Sequence, residues 1–157
     1  MDGVITMIEI KDIEEAVAKK LISNDFSVIA QEVKEGFPKP ACFIEVLPVG
    51  VEVQNQFSEL VTLSVEITYI PEIETKEELI ETAEKLKQIF LYSSLQIKDR
   101  FLSLNEISFD IDKSSLITYF ELEFVQETVT KTEDLPKMEN LHERVVKDNS
   151  GTSENTN

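Results

Sequence analysis

Residues 59–90 constrain the fold more than any other stretch of the chain. Val61, Leu63, Val65, Ile67 and Tyr69 alternate with Leu60, Thr62, Ser64, Glu66 and Thr68. A period of two marks a strand with one strongly apolar face. Pro71 cannot donate to a ladder, so the strand stops there. Thr75 and Glu78 then stand in a T-x-x-E arrangement, which predicts a reciprocal capping box. Behind them Leu79, Ala83, Leu86 and Phe90 recur at helical spacing, predicting a helix from Lys76 to about Leu95. Glu81 and Lys85 should pair on its solvent face, worth about 0.3 kcal/mol. None of these positions carries chemistry. The pattern is one of packing and assembly.

The same reading extends outwards. Ile10, Ile13, Val17 and Leu21 form an apolar stripe of helical period. Thr6 with Glu9, or Asp12 with Glu15, offers its start, and Asn24 with Asp25 its stop. Phe26–Val33 reads as a short strand. Gly36, Pro38 and Pro40 break the pattern, and Ala41–Leu47 reads as the next strand. Pro48 and Gly50 bend or end it. Val51–Phe57 then continues as a strand or an extended hairpin arm. Residues 59–70 return antiparallel to Ala41–Leu47, the usual outcome for a short connection. Phe101–Leu104 is a short extended piece. Ile107, Phe109 and Ile111 alternate with polar residues, Lys113–Ser115 turn, and a last strand follows. Its Leu116, Thr118, Phe120, Leu122 and Phe124 share one face, and its Ile117, Tyr119, Glu121, Glu123 and Val125 the other. Phe101, Phe109, Phe120 and Phe124 are expected in the core.

Helix, strands, helix, strands is the order of a two-layer α+β fold: a mainly antiparallel sheet with two amphipathic helices on one face. That domain occupies residues 1–128. Residues 129–157 form an extension with a short helix marked by Met138, Leu141 and Val145, ending in a polar tail.

Acids outnumber bases 31 to 15, a formal charge of −16. The extension has six acids and four bases, so the excess belongs to the body. Such a field repels phosphate backbones and anionic membranes, which argues against specific nucleic-acid binding and membrane association. Its simplest role is solubility; around a DNA path it would also keep the polymer from sticking. No apolar run approaches the ~20 residues of a membrane span, and Met1–Asp2 opens no leader pattern. One cysteine, Cys42, permits no disulfide within the chain, which fits a reducing compartment.

The search for chemistry returns little. His142 is the sole histidine and has no cysteine or second histidine beside it to share a metal. Cys42 lies in an apolar strand without a basic neighbour and reads as a small core residue. Four scattered glycines build no phosphate loop. Paired carboxylates such as Asp110 and Asp112 are expected in so acidic a chain, and this pair lacks the remaining ligands of a calcium loop. No catalytic, cofactor-binding or metal residue is assigned.

Three segments together resemble the phage tail terminator family, also called tail completion or collar proteins. They are the helix MIEIKDIEEAVAKKL (Met7–Leu21), the break and strand VKEGFPKPACFIEVLPV (Val33–Val49), and LSVEITYIPEIETKEELIETAEKLKQIF (Leu63–Phe90). The hairpin strand TYFELEFV (Thr118–Val125) agrees. The resemblance covers most of Met7–Thr128 and rests on a pattern of elements, not a catalytic signature.

It implies a subunit of a hexameric ring that caps the tail tube, fixes tail length and docks a connector or the last sheath ring. The partners so implied are copies of itself, the tail tube protein, and sheath and connector proteins. No cofactor or reaction belongs to the family. Contractile tails and headless bacteriocins carry similar collars. The implied location is the tail end of a virion or tail-like particle assembled in bacterial cytoplasm. A ring requires one face of a subunit to meet a different face of the next. Candidate contacts are Val51, Val53, Gln54, Asn55 and Phe57 on the arm, and Ile117, Tyr119 and Val125 on the sheet. Met138, Leu141 and Val145 are candidates on the extension. The rival readings are a head–tail connector or stopper and, from another class, a small acidic host enzyme or binding module.

Overall fold

The computed structural model describes residues 7–30, 33 and 35–128. Their order is α1 (Ile10–Ile22), β1 (Ala41–Asn55), β2 (Ser58–Ile70), α2 (Lys76–Phe90), β3 (Leu95–Ile97), β4 (Arg100–Leu102), β5 (Ser108–Ile111) and β6 (Leu116–Glu127). Two helices over a mainly antiparallel sheet make this an α+β fold. The main sheet runs β1-β2-β6-β5, all antiparallel, and β3-β4 is a separate hairpin.

Alternation in β2 decides which face is inside. Val61, Leu63, Val65, Ile67 and Tyr69 are buried, and register aligns them with Phe124, Leu122, Phe120, Thr118 and Leu116 of β6. Over this floor lie Ile13, Val17 and Leu21 of α1 and Leu79, Leu86 and Phe90 of α2. Phe90 meets Phe120 at 5.3 Å between ring centroids. Each fully buried side chain of this size contributes about 1.5–3 kcal/mol.

Both helix starts differ from expectation in instructive ways. Thr6 lies outside the described residues. The observed N-cap of α1 is Glu9, whose N–H donates to the Asp12 carboxylate at 2.7 Å. At α2 the Thr75 hydroxyl accepts from the Glu78 N–H at 3.2 Å, as expected. The reciprocal half of that box is missing, because the Glu78 carboxylate accepts the Tyr69 hydroxyl at 2.8 Å instead. Nor do Glu81 and Lys85 make the ion pair of this helix; Lys87 and Glu84 do, at 2.8 Å.

The second helix ends at Phe90, short of the expected Leu95. Ser93 turns its hydroxyl back to the Ile89 carbonyl at 2.6 Å, and the Ser94 carbonyl accepts Lys20 Nζ at 2.6 Å. Serines compete with the helix for their own backbone groups. Leu95 and Ile97 are then free to enter β3. In the β3-β4 hairpin Leu95 faces Leu102, and both point inward. Phe101 pairs with Gln96 on the other side and is 65% exposed, so its expected place in the core is wrong.

The expected strand over Phe26–Val33 shrinks, among its described residues, to one parallel bridge between Val28 and Cys42. Apolar alternation stops at Ile29, and only the β1 edge beside Cys42 is engaged: Cys42 N–H donates to the Ser27 carbonyl at 2.7 Å and Ile29 N–H to the Cys42 carbonyl at 2.9 Å. The predicted helix around Met138, Leu141 and Val145 lies outside the described residues.

Candidate assembly surfaces

β1 and β2 form one hairpin that runs past the helical layer. The apolar run Leu47–Pro48–Val49–Gly50–Val51 crosses a register shift between Pro48 and Gly50 without ending the strand. β1 is an edge strand, where proline is tolerated. Beyond the shift every residue of β1 is exposed. Val51 faces Val61, and Val53 faces Glu59, so both valines lie on the same side as the core yet outside it. They are 60% and 73% exposed. At the tip Asn55 Oδ1 accepts the Phe57 N–H at 2.7 Å, which holds the turn and leaves Phe57 65% exposed. Gln54 is exposed as well.

The second group sits elsewhere. Ile117, Tyr119 and Val125 point from β6 to the sheet face without helices, opposite Thr68, Glu66 and Leu60. Ile117 and Tyr119 are half-buried and Val125 is exposed. Thus the eight sequence candidates form two surfaces, an apolar arm and a mixed sheet face. The extension candidates Met138, Leu141 and Val145, like His142, lie outside the described residues.

The helix-free face is the acidic one. β1, β2, β5 and β6 together hold eight carboxylates and no lysine or arginine. Register and alternation turn seven of them outward, all but Glu59. Glu45 stands directly opposite Glu66, an arrangement that destabilises a sheet. Desolvation first, then the Glu66 and Asp110 carboxylates, raises the Tyr119 hydroxyl pKa above its ordinary value.

Cys42 is fully buried, and burial pushes its thiol up to about 12. Among the described residues no group of three or more histidine, cysteine or acidic side chains is placed to hold a metal. Nor is any described helix long and apolar enough to cross a membrane.

A family model described as phage tail terminator protein matches residues 12–135, most of the chain. The chain belongs to the phage tail terminator family. That family is structural, and the terminator is a component of the virion tail. No curated protein matches. One solved structure aligns with a TM-score of 0.46 and 13% identity, over 79% of this chain and 99% of its own.

In this chain two exposed apolar residues of the arm escaped the sequence assignment. Leu47 and Val49 are 51% and 54% exposed. The available signal was the Pro48–Gly50 pair, which marks an edge strand leaving the core. Phe101, Tyr92 and Ile73 are also exposed apolar side chains, on the β3-β4 hairpin and the loops flanking α2. Single residues of this kind are ordinary on any surface.

Proposed function

We propose that the chain is a non-enzymatic subunit of a hexameric ring that caps the tail tube, sets tail length and offers a docking face to the connector or the last sheath ring. The observation that carries this reading is the arm. Val49, Val51, Val53 and Phe57 project from the folded body on one hairpin, exposed and contiguous along the strand. Apolar surface held out in this way marks a protein contact. A contact between unlike faces of identical copies, repeated around an axis, closes into a ring. The arm reaches either the neighbouring subunit or the tube protein, and the mixed face around Ile117, Tyr119 and Val125 supplies the other half of the contact.

The test is loss of the protein from the particle. Electron micrographs of tails assembled without it should show tubes of irregular length and no terminal ring. Tubes of normal length with an intact ring would overturn the reading. Locating the subunit relative to the last tube ring separates a terminator from a connector or stopper.

A further inference from the structure

The main sheet has two edges, and they are protected differently. β1 is guarded by Glu45, Pro48, the register shift before Gly50 and Glu52. These are devices that discourage strand addition. At the other edge β5 covers only Leu116–Tyr119 of β6. From Phe120 to Glu127, β6 pairs with β2 alone. A strand with one neighbour turns every second N–H and C=O away from it. Among the described residues no backbone–backbone bond from a loop or turn reaches Phe120–Glu127; near its end the Ile8 N–H meets only the Gln126 side chain, at 3.3 Å.

Where Ser108 begins β5, an open recess of about 650 Å³ lies at this edge and reaches over the sheet face to Ser64. Asn105, Glu106, Ser108, Tyr119, Glu121 and Glu123 line it. The acids do not form a metal cage. Instead, Glu121 and Glu123 follow the strand repeat, about 7 Å apart on one side. An extended peptide has the same repeat, so alternate cationic side chains meet alternate carboxylates while its backbone completes the ladder.

We propose that the uncovered edge of β6 receives an extended lysine- or arginine-bearing segment of another protein, which adds as a strand in line with β5. A second copy of this chain does not suit the site. Its own free edge, β1, carries Glu45 and Glu52, and carboxylates placed against Glu121 and Glu123 repel. None of the four strands of the main sheet carries a base that could be offered in return. Main-chain bonds give such a complex its affinity, and the charges give it selectivity. The assignment goes beyond the ring reading and holds whether or not the ring closes.

Full-length protein is titrated at low salt with a labelled ten-residue peptide alternating threonine or valine with arginine, and with its glutamate counterpart. The basic peptide should bind and slow amide exchange within Phe120–Glu127, while the acidic one should not bind. Both glutamates are exposed, so the double variant Glu121→Lys, Glu123→Lys should keep its fold. It should bind the basic peptide about ten-fold more weakly or worse, and gain binding of the acidic one. The milder pair Glu121→Gln, Glu123→Gln should weaken binding in the same direction and serves if the reversal unfolds the protein. The proposal is overturned by no binding of the basic peptide, by equal binding to the variants, or by protection elsewhere, including along β1.

Discussion

The Tyr69 hydroxyl donates to the Glu78 carboxylate at 2.8 Å, tying the end of β2 to the first turn of α2. Pro71 and the loop to Thr75 lie between them, and this hydrogen bond acts with the Thr75 cap at the point where the helix leaves the sheet. Tyr69→Phe should therefore cost about 1 kcal/mol without altering the fold, and Thr75→Ala about the same through loss of the cap. Urea midpoints at neutral pH measure both. Burial, the main cause, raises the Tyr69 hydroxyl to about 12. Its unfolded value is near 10, so this contribution is fully present below pH 10 and is lost as pH rises from 10 towards 12. Absorbance at the tyrosinate band should show a late-titrating phenol that disappears in Tyr69→Phe, Tyr119 being shifted upward as well.

Asp12 gives the opposite limb. The Glu9 N–H lowers its pKa below the usual 3.8, and Lys98, 3.2 Å away, acts in the same sense. A depressed carboxylate stabilises the fold above its unfolded pKa, and the contribution disappears as pH falls through the folded value. Asp12→Asn should thus lower stability at neutral pH and flatten the loss below pH 4. Midpoints measured from pH 3 to 7 decide it. Lys98 also donates to the Met7 carbonyl at 2.9 Å, so Lys98→Met should loosen the same corner.

Cys42 should be silent to thiol reagents. Its thiol is buried and held near 12, leaving almost no thiolate at pH 8. In native protein a disulfide reagent should find no reactive thiol, and in denaturant one per chain. Fast native labelling would mean that the bridge between Val28 and Cys42 opens readily.

Thr118 carries a buried hydroxyl with no hydrogen-bond partner, on the core face of β6 between Ile67 and Phe109. An unsatisfied buried hydroxyl costs about 1–3 kcal/mol, and valine has nearly its shape. Thr118→Val should raise the urea midpoint, by about 1 kcal/mol in stability. A loss would mean that the hydroxyl is satisfied by water.

Residues 59–90 were legible because period two, proline, cap and period 3.6 follow one another without conflict. The inward stripes of α1, β2, α2 and β6 were all apparent for that reason. What the sequence hid was competition between equal local options. Glu78 had two acceptable partners, and a tyrosine nine residues away won. Ser93 and Ser94 sat in a continuing apolar pattern and still ended α2. Pairing of β2 with β6, which makes both of them central, depends on contacts some 60 residues apart that no local period reports. Of the assembly surface, exposure of the Val51–Phe57 arm was readable from its polar interruptions. The side of the sheet that Val51 and Val53 share was not, since it depends on the register shift between Pro48 and Gly50; it divides them from the outward Ile117, Tyr119 and Val125.

That division makes the arm separable from the fold. Val53 and Phe57 are exposed, and exposed positions away from caps and strained turns change stability by about 0.5 kcal/mol or less. Val53→Asp with Phe57→Asp should therefore leave the urea midpoint nearly unchanged. The same pair should abolish incorporation into tails, because it places two charges where apolar contact is required. Ile80→Asp is the control: Ile80 is half-exposed on α2, away from both surfaces, and the change should assemble normally. Complementation of a particle lacking the protein, scored by tube length in micrographs, reads both variants. Normal tails from the arm variant would remove the arm from the interface and leave the sheet face to account for assembly. Failure of Ile80→Asp as well would place the contact on the helical layer instead.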